Sequence, residues 1–251
     1  MRWLSFLLVA STAAAARAQA PRAAKPLRFD FTLAPELRDS FVFHVRGEER
    51  GWAVWQYEIH SDETGQQLLY TAASELRPVE AESLRIVVNR ITGAPVATFH
   101  RLDFFSPGTD TVQLEHDLDV RRGEVTGRRR ARTRKGEVRL TPVSTSLPAG
   151  VVWSDYQFFA APLALALPGD SLVGLGYSEF ADSLQALVLV AETPTTVIVP
   201  AGSFDVLPLR AGGFRLYVTR TEPRRVVKGE TLDGVFTFEL AGTGRPFRPG
   251  S

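Results

Sequence analysis

The sequence predicts a mainly β protein: a curved antiparallel sheet, in the form of a half-barrel or open barrel, with one short helix packed against it. Along most of the chain apolar residues alternate with polar ones, which is the pattern of half-buried strands. Glycine, proline and aspartate turns separate the alternating segments at short intervals. One segment has helical spacing instead, and a single helix can plug the open side of a curved sheet.

The alternation is clearest in residues 111–120, where every second residue from Val112 to Val120 falls on one face. The same period of two, interrupted by turn residues, predicts hairpins and further strands elsewhere. The hairpins are predicted at 41–59, 84–102 and 125–144, and the strands at 214–218, 225–230 and 236–240. Short strands at such regular spacing are typical of an antiparallel sandwich or barrel.

The helical segment is predicted between Trp153 and Pro168. Its N-cap is Ser154 or Asp155, and its apolar positions are Tyr156, Phe159 and Leu163. Serine and aspartate accept hydrogen bonds from the free N–H groups of a first helical turn. Pro162 limits the helix to two or three turns, because proline lacks an N–H and its ring disturbs the preceding turn.

The two ends of the chain differ from its alternating body. Residues 1–18 combine a positive start, an apolar stretch too short to span a bilayer and a small-residue cleavage pattern, which is typical of a cleaved signal peptide. We expect a flexible linker at 19–26, a single antiparallel β domain at 27–241 and a flexible tail at 242–251. The mature bacterial protein is then periplasmic or secreted, begins at Gln19 and has no transmembrane segment.

The composition argues against several classes of function. A net charge of +1 over 251 residues does not suit a nucleic-acid binder. The chain has no cysteine, which removes thiol nucleophiles, thiolate metal sites and a lipid anchor on an N-terminal cysteine. No serine lies in a G-x-S-x-G frame. Gly174-Leu175-Gly176 begins like a dinucleotide fingerprint, but Glu179 stands where the third glycine is needed.

The histidines predict no metal site. Glu115, His116 and Asp117 are ligand types, but strand alternation sends His116 to the face opposite the two carboxylates. The remaining histidines have no partner at a recognised spacing, and we interpret them as satisfied or exposed side chains: His44, His60 and His100. We therefore predict no catalytic residue, no metal and no cofactor.

Arginines are concentrated in residues 121–139. If the middle of this segment is a strand, one face carries the stripe Arg128, Arg130, Arg132 and Arg134. The stripe is either a contact for anionic lipid headgroups, which guanidinium groups suit, or a solvated hairpin face. We favour the second reading, because acidic residues on the neighbouring strand can offset the charge. These acidic residues are Glu115, Asp117, Asp119 and Glu124.

The sequence has more aromatic residues than an ordinary exposed surface would carry. The candidates to line a ligand cavity are Trp55, Tyr57, Trp153, Tyr156 and Phe159. One interpretation is that they fill the core between sheet and helix, as aromatic side chains generally do. The other is that some of them line a cavity for an acyl chain or another apolar ligand. We favour the core, and the two readings are compatible.

The last hundred residues resemble a known family. The segments that carry the resemblance are 199–206 (VPAGSFDV), 214–219, 223–228 and a final strand ending at Leu240, with 143–147 and Val152-Trp153 before them. They resemble the exported bacterial domain of unknown function 3108. The resemblance implies a half-barrel similar to periplasmic lipoprotein carriers, with a sheet around a helix and an apolar cavity, and it implies no catalytic residue.

The sequence thus predicts a non-enzymatic exported protein that binds a lipid or other apolar molecule or maintains the envelope. The alternative is a structural module that joins another envelope protein through an exposed sheet edge. An envelope hydrolase has the least support, because no nucleophile, base and orienting group can be placed together.

Overall fold

The computed structural model describes residues 24–63, 65–106, 110–153 and 157–244. Within these ranges the chain forms seventeen strands, one α-helix and two short 3₁₀ segments. The first strands are β1 (Lys25–Pro26), β2 (Arg38–Val45), β3 (Glu48–Asp62), β4 (Gly65–Leu76), β5 (Glu80–Asn89), β6 (Pro95–Phe104), β7 (Thr111–Arg121), β8 (Glu124–Thr133) and β9 (Val138–Ser146). The others are β10 (Val152–Trp153), β11 (Ser171–Ser178), β12 (Ser183–Ala191), β13 (Thr195–Val199), β14 (Gly202–Ala211), β15 (Phe214–Thr219), β16 (Val226–Thr231) and β17 (Phe236–Gly244).

All of these strands belong to one open sheet that does not close into a barrel. The order is β1, β10, then β11 to β17, then β2 to β9. Most neighbours are antiparallel, which confirms the predicted fold class, while the two-residue strands β1 and β10 run parallel to β11. The long-range junction is β17 with β2, where Phe238 lies opposite Phe43. This junction makes one continuous sheet of the two halves of the chain.

The predicted hairpins are confirmed. Residues 41–59 form β2 and β3, residues 84–102 lie within β5 and β6, and residues 125–144 lie within β8 and β9. At the turn before β14, Gly202 has a φ of 135°, a conformation that glycine adopts without steric cost. Pro200 and Ala201 form the turn of the hairpin between β13 and β14.

The helix is confirmed but is shorter than predicted. It is α1 (Gln157–Ala160), followed by a 3₁₀ segment at Ala161–Leu163 that contains Pro162. Proline cannot donate a backbone hydrogen bond, so the α-helix ends before it. The predicted N-caps Ser154 and Asp155, and Tyr156, lie outside the described residues. No helix of the described ranges is long and apolar enough to cross a membrane.

The ends of the sheet extend beyond the predicted domain. Lys25 and Pro26, predicted to lie in the linker, pair with Leu172 and Val173 of β11. The Lys25 ammonium lies 2.7 Å from the buried carboxylate of Asp170, which ties this segment to the sheet. The final strand runs to Gly244, into the predicted tail, because its last residues pair with β2. The signal-peptide prediction lies outside the described residues.

The sheet curls around α1. The turn between β11 and β12 contacts β8 and β9, although these strands lie near opposite edges of the sheet. Arg129 of β8 donates to the Phe180 carbonyl at 3.0 Å, and Thr145 of β9 donates to Asp182 at 2.9 Å. Two cores of buried apolar side chains meet at α1 and the 3₁₀ segment after it, one around Phe159 and one around Ala161. The helix therefore sits on the concave side of the sheet.

Candidate functional site

A cavity of about 190 Å³ lies on the concave side of the sheet, beside α1. We call it the aromatic cavity. Eight aromatic residues of its wall come from α1 and five strands: Phe43, Trp55, Tyr70, Phe158, Phe159, Phe214, Phe236 and Phe238. Its polar lining consists of Ser74 of β4 with Glu80 and Glu82 of β5. The site thus combines an aromatic wall with two carboxylates.

Strand register builds the aromatic wall. β17 and β2 are neighbours, and alternation turns Phe43, Phe236 and Phe238 to the same concave face. The rings of Phe43 and Phe236 lie 5.2 Å apart, and those of Trp55 and Phe238 lie 5.1 Å apart. Gly229 of β16 makes room for this wall, because a Cβ there would lie 2.2 Å from the Phe238 ring.

Helix α1 closes the cavity from the inside. The Phe158 ring lies 5.0 Å from Phe214 and 5.9 Å from Trp55. The Tyr57 hydroxyl donates to the Phe159 carbonyl at 2.8 Å and ties the helix to β3. Burial raises the pKa of Tyr57, so its hydroxyl keeps the proton that it donates. The cavity therefore has a fixed inner wall.

The structure places the predicted cavity residues in different environments. Trp55 and Phe159 line the aromatic cavity together. Tyr57 is buried in the core beside Phe159. Trp153 is also buried, and it borders a second cavity of about 450 Å³ at β12. Tyr156 lies outside the described residues. The sequence therefore placed two of its candidates at the aromatic cavity and did not identify the carboxylates there.

A buried polar network continues from the cavity wall. His100 of β6 lies between two carboxylates, with its Nε2 2.7 Å from Glu82 Oε1 and its Nδ1 hydrogen-bonded to Glu179 Oε1. Thr98 donates to Glu179 at 3.4 Å, and His116 Nδ1 lies 3.5 Å from Glu179 Oε1. The Glu179 side chain is fully buried. The network links the cavity to the turn that connects β11 and β12.

The two carboxylates keep His100 protonated. Burial alone would lower the pKa of this imidazole, because it disfavours the charged form. Hydrogen bonds and charge interactions with Glu179 and Glu82 outweigh burial and raise the pKa of His100 to about 9. At neutral pH the site therefore holds an imidazolium between two carboxylates. Among the residues that the structure describes, no three histidine, aspartate or glutamate side chains are arranged to hold a metal ion.

Sequence reasoning missed this network, although it interpreted His100 as a satisfied histidine. His100 and Glu179 are 79 residues apart, so no local spacing could join them. Alternation did place His116 on the face opposite Glu115 and Asp117, and it is buried there. Glu179 was noticed for its position in a rejected glycine motif. The available signal for a structural role of Glu179 was its position between two strands, in the turn that also contains Asp182.

The arginine stripe lies away from the aromatic cavity, on β8. In register, Arg128 lies opposite Asp117 and Arg130 opposite Glu115. Arg128 and Asp117 form an exposed ion pair of 3.5 Å. Arg132 lies opposite Gln113, and Arg134 follows β8 and donates to the Ser106 carbonyl at 2.8 Å. This register supports the interpretation of a solvated hairpin face with offset charge.

No protein-family model matches the chain, and no curated protein matches it. Among solved structures, the chain is similar to the crystal structure of "a putative exported protein with YmcC-like fold" from Bacteroides fragilis. The two chains are 7% identical, with a TM-score of 0.34, over 88% of this chain and 99% of the other. A similarity this weak carries no argument, and the resemblance to the domain of unknown function 3108 stays a prediction.

Proposed function

We propose that the protein is an exported, non-enzymatic binding protein that holds an apolar group in the aromatic cavity. The observation that carries this proposal is the aromatic cavity itself, formed where α1 meets the concave face of the sheet. Its export rests on the signal-like pattern of residues 1–18. The non-enzymatic role rests on the sequence, in which no nucleophile can be placed together with a general base.

The size of the cavity limits what it can hold. Cavities of about 150 Å³ lined by apolar side chains accept benzene, whereas drug-sized ligands occupy roughly 300 Å³ or more. At about 190 Å³ the aromatic cavity suits one ring that carries a short branched group. A whole lipid would have to leave most of its length outside, so we propose a small ligand or the end of a larger one.

Filling the cavity tests the proposal. Ala72 of β4 is buried and lines the cavity, so Ala72→Leu should occupy the space and abolish binding of a small apolar probe. Neopentylbenzene is a suitable probe, followed by saturation-transfer NMR. The matched control is Ala73→Leu, because Ala73 lies on the opposite face of the same strand. Binding of the probe that survives in Ala72→Leu would contradict the proposal.

A second candidate function is favoured by one edge of the sheet. Among the described residues β9 pairs with β8 alone, and its Val138 and Leu140 are exposed. An exposed apolar edge can accept a strand from another protein. Pro142 on the same strand lacks an N–H, which limits such pairing to the beginning of β9. This candidate is the envelope interaction module.

A further inference from the structure

We propose that the group bound in the aromatic cavity is a cation, so that the ligand class is a small apolar amine or quaternary ammonium compound. This inference rests on the proposed function, since it specifies the ligand of the same cavity. It follows from the charge on the cavity wall, from the aromatic composition of that wall and from the state of one carboxylate.

The first observation is the carboxylate of Glu80. This side chain lines the cavity and is half-buried. It makes no hydrogen bond or ion pair with any residue that the structure describes. Partial burial removes some of the water around this carboxylate, and a cationic ligand would supply a direct partner for its charge. Glu80 is therefore the group that such a ligand would meet.

The second observation is that the positive charge of His100, near Glu80, is already shared by two other carboxylates. His100 lies between Glu82 and Glu179, so a single imidazolium faces two carboxylates before Glu80 is considered. Burial, and then the negative charge of Glu82, raise the pKa of Glu80, while His100 lowers it. With Glu80 included, three glutamates face a single imidazolium, so the wall is electronegative at β5. An anionic headgroup, such as the carboxylate of a fatty acid, would be repelled there.

The third observation is the aromatic wall. Aromatic rings carry negative charge on their faces, and they attract ammonium groups placed over them. Eight aromatic residues surround the space that Glu80 and Glu82 border. Rings and a carboxylate together favour an apolar cation over a neutral molecule of the same shape. The geometry therefore makes the cavity selective for a cation. Its size alone would not distinguish a cation from a neutral molecule of the same shape.

Two probes of the same shape isolate the charge. Benzyltrimethylammonium and neopentylbenzene differ by a nitrogen cation in place of a carbon. We expect the unmodified protein to bind the cation about tenfold more tightly than the neutral probe, the advantage that cation–π contact and charge pairing typically give. Saturation-transfer NMR titrations of both probes measure the ratio. Equal or tighter binding of neopentylbenzene would overturn the inference and leave the proposed function standing.

Glu80→Gln locates the effect. This change keeps the shape of the side chain and removes its charge, so it should lower affinity for the cation and leave affinity for the neutral probe unchanged. Glu75→Gln on the outer face of β4 is the matched control and should change neither. The inference would also be overturned if Glu80→Gln did not reduce the ratio of cation affinity to neutral-probe affinity. If neither probe binds the unmodified protein, the proposed function fails together with it.

Discussion

The residue with the most informative environment is His100. Its imidazole is buried, and carboxylates flank both ring nitrogens. In the unfolded chain its pKa returns to the ordinary 6.5, whereas in the folded protein it is about 9. The folded state therefore binds the proton more tightly. The resulting stabilisation is fully present below about pH 6.5 and is lost as the pH rises towards 9.

The direction of this pKa shift gives a testable dependence of stability on pH. We expect the free energy of unfolding to fall by up to about 3 kcal/mol between pH 6.5 and 9, as measured by urea unfolding. His100→Gln should flatten this fall, because glutamine does not titrate. His60→Gln is the control, since His60 is largely exposed beside Glu58, and it should keep the slope. Equal slopes in all three proteins would show that folding does not raise the pKa of His100.

At the residue scale, sequence reasoning could assign faces but not partners. The alternation of β7 correctly turned His116 inward, because that pattern is local. A face does not fix burial, however: Gln113 shares the face of Glu115, opposite Asp103 and Arg132, and is nevertheless buried, donating to Asp103 at 2.7 Å. A register irregularity lies just before it, between Thr111 and Gln113. Such an irregularity leaves no mark in a simple alternation.

The element on which the site depends is α1. Its two consecutive phenylalanines serve different parts of the molecule. Phe159 is almost fully buried, with its ring 5.1 Å from Tyr70 and 5.7 Å from Phe31. Phe158 is half-buried and faces the wall formed by Trp55 and Phe214. One turn of helix therefore both fills the core and bounds the cavity.

The two phenylalanines should respond differently to truncation. Phe159→Ala should lower the free energy of unfolding by about 3 to 5 kcal/mol, because it empties a closely packed site. Phe158→Ala enlarges a space that already exists, so its loss should be smaller, below about 3 kcal/mol, and probe binding should change. Urea unfolding of both variants, with NMR titration of neopentylbenzene, makes the comparison. Equal losses would show that the cavity wall is packed like the core.

At the element scale, hairpins were predictable because each depends on residues close in sequence. The strands of 41–59 and 125–144 were identified from alternation and turn chemistry alone. The parallel pairing of β1 and β10 with β11 was not predicted, since two-residue strands carry no periodic signal. The helix was placed correctly in the chain, and Pro162 was correctly expected to shorten it.

At the scale of the whole molecule, the site is a product of the curl of the sheet. The junction of β17 with β2 brings Phe236 and Phe238 beside Phe43. This junction pairs segments about two hundred residues apart, as the bond from Ser40 to the Gly242 carbonyl shows. Composition and alternation predicted a curved sheet around a helix. They could not predict which strands would meet, and hence where the cavity would lie.

The central claim is that the aromatic cavity holds a small ligand. Native mass spectrometry of the mature protein, purified from the envelope of cells that produce it, tests this claim most directly. The account predicts an added mass of a small apolar molecule, lost in Ala72→Leu and retained in Ala73→Leu. A bound protein in its place would favour the interaction module at β9. The bare mass of the protein alone, or equal ligand in both variants, would contradict the claim.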